Sequence, residues 1–261
     1  MGGCILSALA RRRLVDNSIA GDTITAISCN PPIHLCVEDP DARRLAIEPQ
    51  TNLFKVRLVN SEERRSSASY LIQRRYAWRG YAVDDQPRPA PNRITIAAHD
   101  ENGTAGTVTV GLDSPDAMFV DGLYAEEADK LRREGRKLSE FTKLAIDNNV
   151  HSKPLLAALF HIAFIYARRI HRCTDLLIEV NPRHQTFYRR MLGFKPFGPM
   201  RGDPRIGAPA LLLRLCLEYA QKEIAQLGGN PNRAATARSL YPYAFAGQEE
   251  VLIERRLRAL G

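Results

Sequence analysis

The chain of 261 residues is short of cysteine, has one tryptophan and lacks any long apolar run. Each shortage excludes something. Cys4, Cys29, Cys36, Cys173 and Cys216 are odd in number and scattered, with no Cys-x-x-Cys pair. Neither a disulfide framework nor a structural metal is expected, and a reducing, cytoplasmic setting is. The six histidines form no His-Glu-x-x-His and no paired cluster, so metal catalysis has no support and no metal ligand is assigned. The longest apolar stretch, Leu155 to Ala167, is interrupted by His161. It falls short of the roughly 20 residues that cross a bilayer, so it reads as a buried helix and no transmembrane segment is expected. The N-terminal MGGCILS has Leu6 where myristoylation needs Ser or Thr, and Arg11 to Arg13 lie on the wrong side for a secretory signal.

What is present is a soluble globular composition, 44% hydrophobic and 25% charged, with a formal net charge of +8. That charge calls for an acidic partner: nucleic acid, an anionic membrane, an acidic carrier protein or a phosphorylated cofactor. Helix-turn-helix signatures and interleaved aromatic and basic residues are missing, so nucleic acid is not expected.

Residues 1–50 are broken by Pro31-Pro32, Pro40 and Pro49 and read as a loose leader or strap. A core follows over 51–220, and a helical tail over 221–261. In the core, FKVRLV alternates as a strand. A helix then begins at Ser61, with Glu62 and Glu63 in its first turn. RITIAAHD and GTVTVGLDS are strands joined by a Glu101-Asn102-Gly103 hairpin turn. DGLYAEEADKLRREG is a charged helix ending at Gly135, and KLSEFTKLAID is the next strand. A long helix starts at Ser152 with Pro154 in its first turn. The apolar strand CTDLLIEV leads into NPRHQTFYRRMLGF, a short helix capped by Gly193, and APALLLRLCLEY returns as a strand. The hairpin makes the first half of the sheet antiparallel, and the crossover helices require parallel pairing in the second. The fold class is therefore α/β (α+β), with a mixed central sheet flanked by helices.

This order, with NPRHQTFYRRMLGF after a buried strand, resembles the GCN5-related N-acyltransferase fold. Acetyltransferases of that fold cradle a coenzyme A pyrophosphate on a glycine-rich turn before the long helix. Here that turn is Asn149 to Pro154, which has no glycine, and Pro154 has no amide to donate. A diphosphate would be poorly held. A single phosphate could be met near Ser152 and Lys153, and one phosphate is what the phosphopantetheine arm of an acidic acyl carrier protein presents.

With RRYAWRGY, GRKLSEFTKLAID, NPRHQTFYRRMLGFKPFG and GAPALLLRL in order, the chain resembles the bacterial long-chain N-acyl amino acid synthases. These are related in fold to the acyl-homoserine lactone autoinducer synthases. The resemblance implies transfer of a long fatty acyl chain from acyl carrier protein to the α-amino group of an amino acid, by direct amine attack on the thioester. No cofactor is permanently bound. Membrane contact is expected only through the acyl product. A coenzyme A-dependent acetyltransferase and a non-catalytic carrier-protein-binding module are the alternatives.

By the same resemblance, Glu140 orients or deprotonates the amine, Tyr188 is the acid for the thiolate and His184 an alternative base. Arg74 or Arg75 anchors the amino acid carboxylate, and Trp78 lines the acyl tunnel. SEFTKLA resembles the Glu-x-x-Arg signature of autoinducer synthases, with Lys143 replacing arginine. Lysine gives a point charge in place of a bidentate fork, so lactone-precursor recognition does not carry over. Glu140 and Lys143 can share a face only if their strand bulges, and a bulge is expected near Phe141–Leu144, beside the substrate.

Overall fold

A computed structural model describes residues 22–29, 52–77, 90–148, 150 and 152–260. Its strands are β1 (Thr23–Cys29), β2 (Asn52–Leu58), β3 (Arg93–Asp100), β4 (Gly103–Leu112), β5 (Leu138–Ile146), β6 (Asp175–Val180), β7 (Lys195–Pro196), β8 (Arg201–Asp203) and β9 (Ala208–Cys216). Its helices are α1 (Glu62–Ala77), α2 (Asp121–Arg133), α3 (Lys153–Phe164), α4 (Gln185–Leu192), α5 (Leu217–Leu227), α6 (Ala234–Ala237) and α7 (Gly247–Leu260). α3 runs on as a π-helical turn over Ile165–Ile170.

Local chemistry sets the punctuation. Gly103 turns the β3–β4 hairpin at φ +124, a conformation side chains resist. The Ser152 hydroxyl accepts from the Leu155 amide at 3.1 Å and caps α3. Gly193 ends α4 in the left-handed region at φ +78.

The sheet runs β1-β2-β3-β4-β5-β6-β9-β7, with β8 on β9. Pairing is antiparallel from β1 to β5, parallel between β5 and β6, and antiparallel again from β6 to β9. This is the mixed sheet flanked by helices that the sequence predicts. One face carries α2, whose Tyr124, Ala128 and Leu131 pack on Leu138, Leu177 and Leu212. The other face carries α3 and the C-terminal helices over Phe141, Leu176, Ile178 and Leu213.

The structure adds to the sequence reading the short strands β7 and β8, the strand β1 and an earlier end to the last strand. A strand, β1, lies within the leader, and its Ile24 and Ile27 are buried. The Arg256 side chain of α7 donates to the Ile24 carbonyl at 3.0 Å. The last core strand stops at Cys216, where the expected strand ran on to Tyr219. Leu217, Ala220, Ile224 and Leu227 are buried at helical spacing and turn that segment into α5.

Tyr124 fixes α2 to the β8–β9 region. Its hydroxyl lies 3.0 Å from the Pro199 carbonyl and 2.9 Å from that of Ala210, sharing one hydrogen between them. Burial pushes the phenol up to about 12, so it stays a donor at any working pH. Tyr124→Phe should lower stability by about 1 kcal/mol, the usual net worth of such a bond. A shifted urea midpoint at unchanged slope would register it.

Candidate active site

β5 and β6 pair only from Leu138↔Asp175 to Glu140↔Leu177, although both strands continue. Beyond that point they splay. On its other edge β5 slips against β4: Thr109 pairs with Thr142 and Thr107 with Ala145. Lys143 and Leu144 therefore oppose the single residue Val108, which is a bulge where the sequence placed one. Lys143 sits in the left-handed region at φ +51, and its carbonyl accepts from the Thr107 hydroxyl at 2.9 Å. The extra residue inverts the alternation. Ala145 therefore packs with Leu71 and Ile72 of α1, on the face that also bears Glu140.

That face is polar where the sheet is otherwise apolar. Arg93, Gly111, Glu140 and Leu177 lie in one register across four strands. Thr95, Thr109 and Thr142 form the next row, with Thr95 and Thr109 hydroxyls 2.8 Å apart. Gly111 lets the Glu140 side chain lie across it: a Cβ there would be 2.6 Å from Oε1 and 2.7 Å from Cγ. Glu140 is 2% exposed. Its Oε1 accepts from the Phe119 amide at 2.8 Å, and its Oε2 from the Val120 amide at 2.9 Å. The Arg93 guanidinium lies 3.7 Å from Oε1. Burial raises the Glu140 carboxyl above the usual range, against the pull of those two amides and Arg93. Above this floor is a cleft of about 840 Å³ whose walls include Tyr76, Phe119, Lys143 and Glu179.

Glu179, like Arg93 and Gly111, is a site residue that sequence reasoning missed. It stands on β6 two positions past Leu177, so it shares the Glu140 face. Its Oε2 is paired with Arg205. Its Oε1 is buried and has no hydrogen-bond partner among the described residues. Burial pushes this carboxyl up to about 8. Arg205 opposes the shift, and the charges of Asp203 and Glu140 add to it. The signal in the sequence was a lone acid inside the apolar run DLLIEV.

The other expected site residues fall in different places. Phe141 and Lys143 line the cleft. Arg74 pairs with Asp147 and Arg75 with Asn148, so both tie the end of α1 to the turn leaving β5 and lie outside the cleft wall. The α1 side chains that line the cleft are Arg65, Ile72 and Tyr76. Trp78 lies outside the described residues. His184 ends the turn before α4, its Nε2 accepting from Arg183 at 3.3 Å, away from the cleft. Tyr188 is on the α3 face, its ring centroid 6.3 Å from Phe160 and 5.7 Å from Phe194. Phe141 joins the two faces, lining both the cleft and an apolar cavity beneath α3.

Among the described residues, the start of α3 has few donors to offer. Pro154 has no N–H. The Leu155 amide is bonded to the Ser152 hydroxyl, and the Leu156 amide to the Ser152 carbonyl at 3.2 Å. With bonds among the described residues counted, the Lys153 amide and its ammonium are what residues 153–156 leave for a ligand.

Residues 67–216 match the family model described as N-acyl amino acid synthase FeeM. Among solved structures, FeeM, an N-acyl amino acid synthase from uncultured soil microbes, is 28% identical, with a TM-score of 0.60. The match covers 66% of this chain and 94% of that one. An acyl-CoA N-acyltransferase from Pseudomonas aeruginosa is 12% identical over 62% of this chain and 98% of its own, with a TM-score of 0.45. The AHL synthase LasI is 13% identical over 63% and 90%, with a TM-score of 0.44. No curated protein matches the sequence.

Proposed function

The chain belongs to the N-acyl amino acid synthase FeeM family, and we propose that it moves a long fatty acyl chain from acyl carrier protein to the α-amino group of an amino acid. The donor class rests on the turn into α3. One main-chain amide and one ammonium suit a single phosphate; a diphosphate needs several converging amides. The net charge of +8 supports an acidic carrier as the partner that brings the arm.

In this reading the arm enters along α3 and α4, past Ser152 and Lys153, and its thioester lies in the gap where β5 and β6 part. An amide of the Lys143–Leu144 bulge faces the carbonyl oxygen and steadies the charge that develops there. Tyr188, on the donor face, supplies the proton for the departing thiolate. The amino acid occupies the cleft on the opposite face. Its carboxylate is met by Arg93, whose Nε has no acceptor among the described residues. Glu140, with both oxygens committed to the Phe119 and Val120 amides, is a positioning residue that holds the cleft wall and Arg93 in place.

The test is to offer matched long-chain acyl carrier protein and acyl coenzyme A with a mixture of amino acids, and to identify products by mass spectrometry. N-acyl amino acid should form from the carrier-bound donor. Product from acyl coenzyme A alone would overturn the donor assignment.

A further inference from the structure

We propose that Glu179 is the catalytic base that takes the proton from the attacking amine. The inference rests on the N-acyl amino acid synthase reading above, and it names the group that makes the amine reactive.

At neutral pH an α-amino group is largely an ammonium, which cannot attack a thioester. A base must accept its proton in the cleft, within hydrogen-bond reach. Two carboxylates share this face, and they differ in what they have left to offer. Glu140 has both oxygens engaged by main-chain amides. Glu179 has one oxygen held by Arg205 and the other buried with no donor among the described residues. Its side chain is 9% exposed. A buried acceptor left unmet costs about 1–3 kcal/mol, so an N–H at that point is favoured. Arg205 cannot swing round to supply it. Its Nε and Nη2 are bonded to Asp203, and its Nη1 donates to the Phe119 carbonyl at 2.9 Å. Its guanidinium also lies over the Phe119 ring.

The charged and titratable groups around Glu179 tune it for this task. Arg205 stands on one side as the fixed cation. Asp203 on β8, Glu140 on β5 and the Tyr124 phenol on α2 stand around it, with Arg93 beyond Glu140. Burial and the two neighbouring carboxylates make Glu179 a stronger base than an exposed glutamate, with a value of about 8. A base effective near neutrality needs that.

The ammonium gives one proton to Glu179 Oε1 and becomes a neutral amine; Glu179 later releases that proton to solvent. The N–C bond forms and the C–S bond breaks. The thiolate takes a proton from Tyr188, and the surplus proton on nitrogen restores Tyr188. The products are an amide, a thiol and one released proton.

The experiment compares wild type with Glu179→Gln on two nucleophiles and a long-chain acyl carrier protein donor. With an amino acid, the variant should lose about 100-fold in kcat/KM, the scale of general-base assistance. Hydroxylamine is already neutral at pH 7, and transfer to it should persist within about threefold, which also shows that the variant is folded and holds the donor. Equal loss with both nucleophiles, or no loss with the amino acid, would overturn the assignment. An independent check needs no variant: the carbon-13 signal of the wild-type Glu179 carboxylate should shift when amino acid is added, and an unmoved signal would also overturn it. Wild type that acylates hydroxylamine but no amino acid would instead sink the synthase reading itself, and this inference with it.

Discussion

Gly111→Ala should destabilise the protein by about 3 kcal/mol and remove most of its activity, although the substitution adds one methyl group. The added carbon would sit 2.6 Å from Glu140 Oε1. A free glutamate would turn away, but this one is clamped by the Phe119 and Val120 amides. Displacing it leaves a buried carboxylate and two main-chain donors without their partners, and breaking such a buried charged contact typically costs about 3–5 kcal/mol. The Phe119 amide belongs to a partly exposed residue, so water recovers part of the loss and the lower end applies. Activity falls because Arg93 and the Phe119 wall lose their anchor together. Thermal melts and turnover on one preparation check both effects. Gly202→Ala is the control: nothing lies within 4 Å of a Cβ there, so a change within about 0.5 kcal/mol is expected. In a Glu140→Ala background the cost of Gly111→Ala should shrink by at least about 1 kcal/mol, because the two residues are in contact.

Asp175→Ala should cost about 3 kcal/mol as well, by a different route. Asp175 is fully buried at the start of β6. Its Oδ2 is 2.5 Å from Arg136 Nε and 2.7 Å from the Thr174 hydroxyl, and its Oδ1 is 2.8 Å from Arg214 Nε. The Ser139 hydroxyl also donates to its main-chain carbonyl, at 3.0 Å. Burial alone would raise this carboxyl, but the bonds from Arg136, Thr174 and Arg214 outweigh it and hold the group below its usual value. Removing it leaves two arginines facing each other across the β5–β6–β9 junction. Both are about 30% exposed, so they recover some hydration and the loss sits near the bottom of the 3–5 kcal/mol range for a broken buried pair. For a chain of this size that is a fall in Tm of roughly 6–12 °C. The pH dependence has a definite sign. A depressed carboxyl contributes stability that is present above its unfolded value and is lost as pH falls through its folded value. Wild type should therefore lose the Asp175 contribution in that acid range, and the gap to Asp175→Ala should close there. A gap that stays constant down to acid unfolding would show that the ion pairs are not its source.

Much of the frame was legible because its cues are local. The Glu101-Asn102-Gly103 turn, the Ser152 cap with Pro154 behind it and the left-handed Gly193 each depend on a few consecutive residues. The bulge was legible through the fold resemblance, and an extra residue is what lets Glu140 and Lys143 share a face. The long-range partners were not. Arg74 and Arg75 look like any cationic pair on a helix until Asp147 and Asn148 are brought against them across the sheet. β1 was hidden in a proline-broken leader because an edge strand is recognised by what it pairs with, here β2. Glu179 sat in plain view inside an apolar strand. Its significance depends on Arg205 taking one oxygen and nothing among the described residues taking the other.

By itself the sequence determined the order of elements from β2 to α4, the caps, the glycine-free turn into α3 and the membership that these motifs announce, because each is set by cues within a short stretch of chain. Only the tertiary structure decided which carboxylate is clamped and which is left with an open oxygen. That depends on register across four strands, on the absence of a side chain at Gly111 and on charges that come from distant segments. Burial and pairing belong to the assembled sheet, and no stretch of residues carries them alone.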